Sequence, residues 1–304
     1  MTAVSVKHII KTYGKKKEVL ALNDISFDVA EGELFGIIGP DGAGKTSLFR
    51  ILTTLLLADS GTATVDGFDV VKDYKAIRKR VGYMPGKFSL YPDLSVEENL
   101  NFFATIFNTS IEENYSLIKD IYIQIEPFKT RKAGKLSGGM KQKLALSCAL
   151  IHRPSVLFLD EPTTGVDAVS RKEFWEMLKG LKQQGITILV STPYMDEAKL
   201  CDRVALLQNG NILSINTPAG IVDDFSNPVW AVKSSQMLHL LNELKEADFV
   251  KDAYPFGEYH HIVMKDESGK QALNTFVQQH QAENIIMHET KPDIEDCFIA
   301  LMKN

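Results

Sequence analysis

The sequence predicts an α/β fold: a parallel-sheet core with an antiparallel β edge and a helical subdomain over about residues 88–150, then a small C-terminal α+β domain. Three observations carry this. Short apolar runs at 34–38, 156–159 and 186–190 have the uninterrupted character of strands buried on both faces. The first of them enters a glycine loop that opens a helical pattern. The stretch Asp223-Asp224-Phe225-Ser226-Asn227-Pro228 is rich in turn formers and divides the chain into domains at 1–222 and 223–304.

Taken in order, Val4-Ser5-Val6-Lys7-His8-Ile9 alternates, as does Ala21-Leu22-Asn23-Asp24-Ile25-Ser26-Phe27-Asp28-Val29, with a basic turn at Lys15-Lys16-Lys17 between them, so an antiparallel edge sheet is expected. After the glycine loop, Ser47-Leu48-Phe49-Arg50-Ile51-Leu52 has helical spacing. Helical periodicity dominates 96–107, 115–124 and 139–152. In the second domain, strand-like 229–232, 260–264 and 284–288 alternate with helical 235–245 and 270–280. His260 and His261 are adjacent on a strand and therefore face opposite sides, which speaks against a shared metal and for solvated surface residues.

A chain of 304 residues, 44% of them hydrophobic, has ample material for one large domain and one small one. The net charge of −5 and the lack of a Lys/Arg block argue against an obligate nucleic-acid binder. Cys148, Cys201 and Cys297 are scattered and odd in number, so neither a disulfide framework nor a zinc site is indicated and a reducing cytosol is the simpler reading. Met1 is followed by no apolar leader, and no run approaches the roughly 18 apolar residues needed to span a bilayer. The chain is expected neither to be secreted nor to cross a membrane unaided.

Gly39-Pro40-Asp41-Gly42-Ala43-Gly44-Lys45-Thr46 fits the phosphate loop, in its required strand-loop-helix context. Glycines let backbone N–H groups converge on phosphate oxygens, Lys45 neutralises the β and γ charges, and the Thr46 hydroxyl ligates Mg²⁺. With Ser47 at the helix start, these residues form the expected nucleotide cradle. Ser155-Val156-Leu157-Phe158-Leu159-Asp160-Glu161 places two carboxylates at the end of a buried strand. Asp160 is suited to hold the magnesium and Glu161 to polarise the attacking water as general base. Leu136-Ser137-Gly138-Gly139-Met140 opens a helix, where unpaired N–H groups attract an anion and glycine permits close approach.

In this order the motifs resemble the nucleotide-binding subunit of ABC transporters, over roughly residues 4–215 and including Asp160-Glu161-Pro162-Thr163 and Gly165-Val166-Asp167. The resemblance implies a P-loop NTPase core with ATP and Mg²⁺ as cofactors. It also implies a head-to-tail dimer with a second ABC ATPase subunit, identical or different, each ATP lying between one subunit's phosphate loop and the other's Ser137, Gly138 and Gly139. Asp167 would lie in the loop that crosses the interface, and Tyr13 sits where the family stacks an aromatic on adenine. The further partner implied is an integral membrane permease, and the location the inner face of the cell membrane.

Two positions depart from the pattern. In Gly82-Tyr83-Met84-Pro85-Gly86-Lys87, the family's glutamine is replaced by Gly86, and in Ser191-Thr192-Pro193-Tyr194, its γ-phosphate-sensing histidine is replaced by Pro193, which offers neither side-chain donor nor N–H. Two readings follow: an ATPase driving export through a separate permease, or a weakly hydrolysing nucleotide switch paired with a competent ABC ATPase. A soluble ABC protein working on ribosomes or DNA is less favoured, since such proteins carry two cassettes or a long coiled coil. Phe88, Leu90, Tyr91 and Leu94, just before a helix capped by Ser95 with Glu98 at the capping-box position, are expected either to fill the subdomain core or to line the groove that in the family receives a permease helix. The tail from Thr290 to Leu301 is similar to that of drug and polysaccharide exporter subunits, with Ile294, Phe298 and Leu301 at core-anchor spacing.

Overall fold

Alternating polar and apolar residues at the N-terminus form two long antiparallel strands, β1 (Thr2–Tyr13) and β2 (Val19–Ala30). Val6 and Ile9, three residues apart, both turn inward because a bulge with His8 at φ 55° resets the register between them. The computed structural model describes the whole chain except residues 16, 17, 88, 280–283 and 304. The basic turn at Lys15-Lys16-Lys17 and the helix expected at 270–280 therefore lie partly outside the described residues, and Phe88 lies wholly outside them.

β3 (Leu34–Ile38) is buried at all five positions and runs through the glycine loop into α1 (Lys45–Leu52). β4 (Ser60–Val65) and β5 (Phe68–Asp69) join the N-terminal sheet, whose order is β2-β1-β4-β5. α2 (Tyr74–Arg80) leads into β6 (Val81–Met84). The helical stretch holds α3 (Val96–Ile106), α4 (Ile111–Tyr122) and α5 (Gly138–Leu150). α3 starts in a complete capping box: the Glu98 amide donates to Ser95 Oγ at 3.1 Å, and the Ser95 amide to the Glu98 carboxylate at 2.7 Å.

β7 (Val156–Asp160), α6 (Ala168–Gln183), β8 (Thr187–Thr192), β9 (Arg203–Gln208) and β10 (Asn211–Asn216) complete a six-stranded sheet of order β10-β9-β3-β8-β7-β6. All its pairs are parallel except β10 with β9. In that register Ile38 lies opposite Thr192 and Asp160 opposite Ser191. The glycine loop, the carboxylate pair and the segment holding Pro193 thus leave the sheet side by side at its carboxyl edge, where open parallel sheets place their ligands. Beneath them, Phe49 of α1 meets Phe158 of β7 edge to face at 5.7 Å, which seats the helix on the sheet.

The chain divides into two compact units, Met1–Pro218 and Ala219–Asn304, within α7 (Pro218–Asp223). The second unit comprises β11 (Val229–Lys233), α8 (Met237–Glu246), β12 (Val250–Phe256), β13 (Tyr259–Met264), α9 (Gly269–Gln279), β14 (Ile286–Thr290) and α10 (Ile294–Lys303). Its antiparallel sheet has the order β12-β13-β11-β14. β12 escapes sequence reading because Lys251, Asp252 and Pro255 interrupt its apolar pattern.

The expectation that His260 and His261 are solvated is overturned, since they are 5% and 6% exposed. β13 is an inner strand covered on both faces, so alternation does not bring either ring to water. His260 Nε2 pairs with the Met237 carbonyl at the start of α8 at 2.8 Å, and His261 Nδ1 with Asp296 Oδ1 of α10 at 2.7 Å. The Phe256 ring stacks on His261 at 3.8 Å.

Candidate functional site

The glycine loop at 39–46 is held by backbone on three sides. The Gly39 amide donates to the Thr192 carbonyl at 3.2 Å, and the Ala43 carbonyl accepts from the Gly210 amide at 3.0 Å. Gly44 caps α1 at φ 111°, and a Cβ there would lie 2.3 Å from the Ala21 carbonyl oxygen, so no other residue fits. Lys45, only 3% exposed, donates to the Gly39 carbonyl at 2.7 Å and the Pro40 carbonyl at 2.9 Å, and stands 3.1 Å from Glu161 Oε1. Asp41 and Gly42 are exposed at the loop tip, and Thr46 and Ser47 open α1 half-buried. Tyr13, at the end of β1 and 38% exposed, is tied to that helix by a 3.0 Å bond between its hydroxyl and Ser47 Oγ.

Asp160 closes β7 and is 2% exposed, with the Ser191 hydroxyl donating to its Oδ1 at 2.7 Å. The Glu161 amide donates to both the carbonyl and Oγ of Ser191, each at 3.0 Å. Glu161 sits at φ 50°, in the left-handed region that an L residue enters at a cost of about 1–3 kcal/mol. The surrounding hydrogen bonds hold that conformation, and it directs the carboxylate to Lys45. On the neighbouring strand, burial first and the Asp160 charge second push the Tyr83 phenol up to about 12. Ser191 carries no sequence motif and was missed. Its one signal is that the polar pair Ser191-Thr192 ends an otherwise apolar run.

Ser137 is the N-cap of α5, its Oγ accepting from the Met140 amide at 3.4 Å. Gly138 and Gly139 pack against the Gly165 to Ser170 segment: a Cβ on Gly139 would lie 2.7 Å from Ser170 Oγ. Asp167 caps α6, accepting from the Ser170 amide at 3.0 Å and the Val169 amide at 3.1 Å, and these bonds, that from Ser170 foremost, lower its carboxyl below the usual range. The site residues thus fall into two groups: the phosphate loop with Tyr13, Asp160 and Glu161, and the α5 start with the α6 start.

No group of three or more His, Cys, Asp and Glu poised for a metal occurs among the described residues. The Thr46 hydroxyl and the Asp160 carboxylate are oxygen donors of the kind that Mg²⁺ accepts alongside waters and phosphate oxygens.

The fold and this geometry define a P-loop nucleotide-binding cassette. Residues 22–164 match the ABC transporter family, to which the chain belongs. It is 38% identical over 286 residues to the probable multidrug ABC transporter ATP-binding protein YbhF of Escherichia coli (strain K12), an alignment covering 93% of this chain but only 49%, roughly half, of that protein. It is 38% identical over 223 residues to the Nod factor export ATP-binding protein I of Burkholderia lata, covering 72% of each. A dimeric ATP-binding cassette solved in a post-hydrolysis state with ADP and Pi is similar at a TM-score of 0.64 and 26% identity, over 70% of this chain and 98% of that one.

Proposed function

We propose that this chain is the ATP-hydrolysing subunit of an exporter, acting at the inner face of the cell membrane through ATP-driven pairing with a second ABC ATPase subunit and energising a separate membrane permease. The observation that carries this reading is the 3.1 Å approach of Lys45 to Glu161 beneath the phosphate loop. On ATP binding, loop amides and Lys45 take up the β and γ phosphates. Lys45 then exchanges its bond to Glu161 for phosphate oxygens, which frees the carboxylate to accept a proton from the attacking water. Asp160 and Thr46 would hold Mg²⁺, which supplies neutralisation of the phosphate charge. Tyr13 stacks on the adenine, its ring orientation set by the bond to Ser47. Ser137, Gly138 and Gly139 present the α5 N-terminus to the γ-phosphate held by the partner cassette.

The names of the multidrug and Nod factor relatives favour export. A cavity of about 290 Å³ lined by Leu90 together with Tyr83, Met84, Phe103, Phe107 and His152 supports a groove for the permease segment here, while Tyr91 and Leu94 do not line it. A second reading, a poorly hydrolysing switch paired with a competent ATPase, is favoured by Gly86 and Pro193, which remove two γ-phosphate-side groups. Steady-state ATP turnover of the purified chain beside Glu161→Gln separates the two. The hydrolytic reading fails if wild type is as inert as the variant while both bind ATP.

A further inference from the structure

Glu197 is a buried carboxylate outside the site described so far. It lies in the turn Met195–Leu200 after β8 and is 2% exposed. Its Oε2 accepts from the Thr192 hydroxyl at 2.5 Å and from the Thr163 hydroxyl at 3.1 Å. Its Oε1 is buried with no hydrogen-bond partner among the described residues, and Arg171 Nε stands 4.0 Å away. A carboxylate is costly to bury unless it is paired, so these three contacts explain why it stays in place.

Each contact comes from a different working segment. Thr163, itself 1% exposed, lies in the turn that begins at the strained Glu161, whose carbonyl accepts from the Thr164 amide at 3.2 Å. Thr192 ends β8 and precedes Pro193, and its carbonyl holds the Gly39 amide of the phosphate loop. Arg171 follows Ser170 on α6, the residue against which Gly139 packs.

We propose that Glu197 is a positioning residue for hydrolysis: its carboxylate fixes the turn that carries Glu161 and joins it, through Arg171, to the segment beside Ser137 and Gly139. The arrangement is a continuous path of packed and hydrogen-bonded groups from the half-site offered to a partner to the base of the chain's own site. The inference rests on Glu161 acting as the base. Displacement of a positioned group by about 1 Å costs up to about 100-fold in rate, and the hydrogen bonds of Glu197 go to Thr163 and Thr192 rather than to the phosphate loop itself. Loss of its carboxylate is therefore expected to fall on kcat.

The test is ATP turnover, ATP affinity and thermal melting of the full chain as Glu197→Ala, Glu197→Gln and Thr163→Val, beside Glu161→Gln. Thr163→Val keeps the side-chain shape and serves should Glu197→Ala not fold. Expected are a fall in kcat of about tenfold or more for Glu197→Ala and a smaller one for Thr163→Val. KM should stay within about twofold, and Glu197→Gln combined with Arg171→Met should be non-additive. A kcat within about twofold of wild type in folded variants, or a loss of kcat that only tracks the loss of folded protein, overturns the proposal. If Glu161→Gln retains wild-type turnover, it is the assignment of the base that fails.

Discussion

Lys45 Nζ lies 3.1 Å from Glu161 Oε1, the lysine almost wholly buried and the glutamate 22% exposed. The two come from different elements, the start of α1 and the residue after β7, which the parallel register of β3, β8 and β7 brings together. On the function proposed above, the pair is a latch with a ready competitor. A phosphate carries more negative charge than a carboxylate and reaches the same ammonium from the loop side.

Lys45→Ala removes the cation and leaves Glu161 without it. Truncating one member of a close charge pair costs about 2–5 kcal/mol, so ATP affinity is expected to fall by roughly 30-fold or more. Glu161→Gln removes the competitor, so affinity should hold or rise while turnover is lost. Titration with a fluorescent nucleotide reads both, and unaltered binding by Lys45→Ala contradicts the arrangement.

Ser191→Ala deletes the 2.7 Å bond to Asp160, a carboxylate with almost no exposure to water. A hydrogen bond to a charged group contributes about 1.5–3 kcal/mol. The melting temperature is expected to drop by roughly 3–10 °C, with Ser191→Thr recovering most of it. Calorimetry that finds Ser191→Ala as stable as wild type removes Ser191 from the site.

His152 gives a pH signature. Burial lowers its pKa from 6.5 to about 4, with the bond to the Val81 carbonyl opposing, and the Phe107 ring stacks on it at 3.7 Å. Between those values the unfolded chain binds the proton more readily than the folded one, so stability rises with pH across this window. The contribution, on the order of 3 kcal/mol, is present above pH 6.5 and lost as pH falls towards 4. Denaturant unfolding from pH 4 to 7 should show a shallower slope for His152→Gln. Equal slopes would mean that the ring is solvated.

The fold and the phosphate loop were legible because they depend on local rules: apolar runs of strand length, a glycine pattern between strand and helix, a Ser95–Glu98 capping box. Ser191, Thr163 and Glu197 were not, because the Ser191–Asp160 and Thr163–Glu197 bonds join residues 31 and 34 positions apart and none of the three has a spacing that advertises it. His260 and His261 were misread for a related reason. Periodicity tells which face of a strand a residue occupies, but not whether α8 and α10 cover both faces. The glutamine expected at position 86 shows a third limit: its absence is visible in sequence, while the crowding around Gly86 is visible only in the fold.

That crowding separates two substitutions that sequence reasoning treats alike. Pro193 follows β8 half-buried beside the loop, and Pro193→His supplies a side-chain donor where the family has one. A single donor preorganised for the transition state contributes about 10²–10³ in rate, so a large rise in kcat with little change in KM is expected. Gly86 differs, because a Cβ there would meet the Asp160 carbonyl oxygen at 3.0 Å and the Glu161 Cβ at 3.8 Å. Gly86→Gln must push on the backbone that follows Asp160, because that carbonyl has to give way, and the shift offsets part of what the new amide contributes. Gly86→Ala should then lower both melting temperature and turnover, and Gly86→Gln should gain less than Pro193→His. Steady-state turnover of the three variants decides: a larger gain from Gly86→Gln refutes the crowding argument, and no gain from Pro193→His means that the missing donor does not limit the rate.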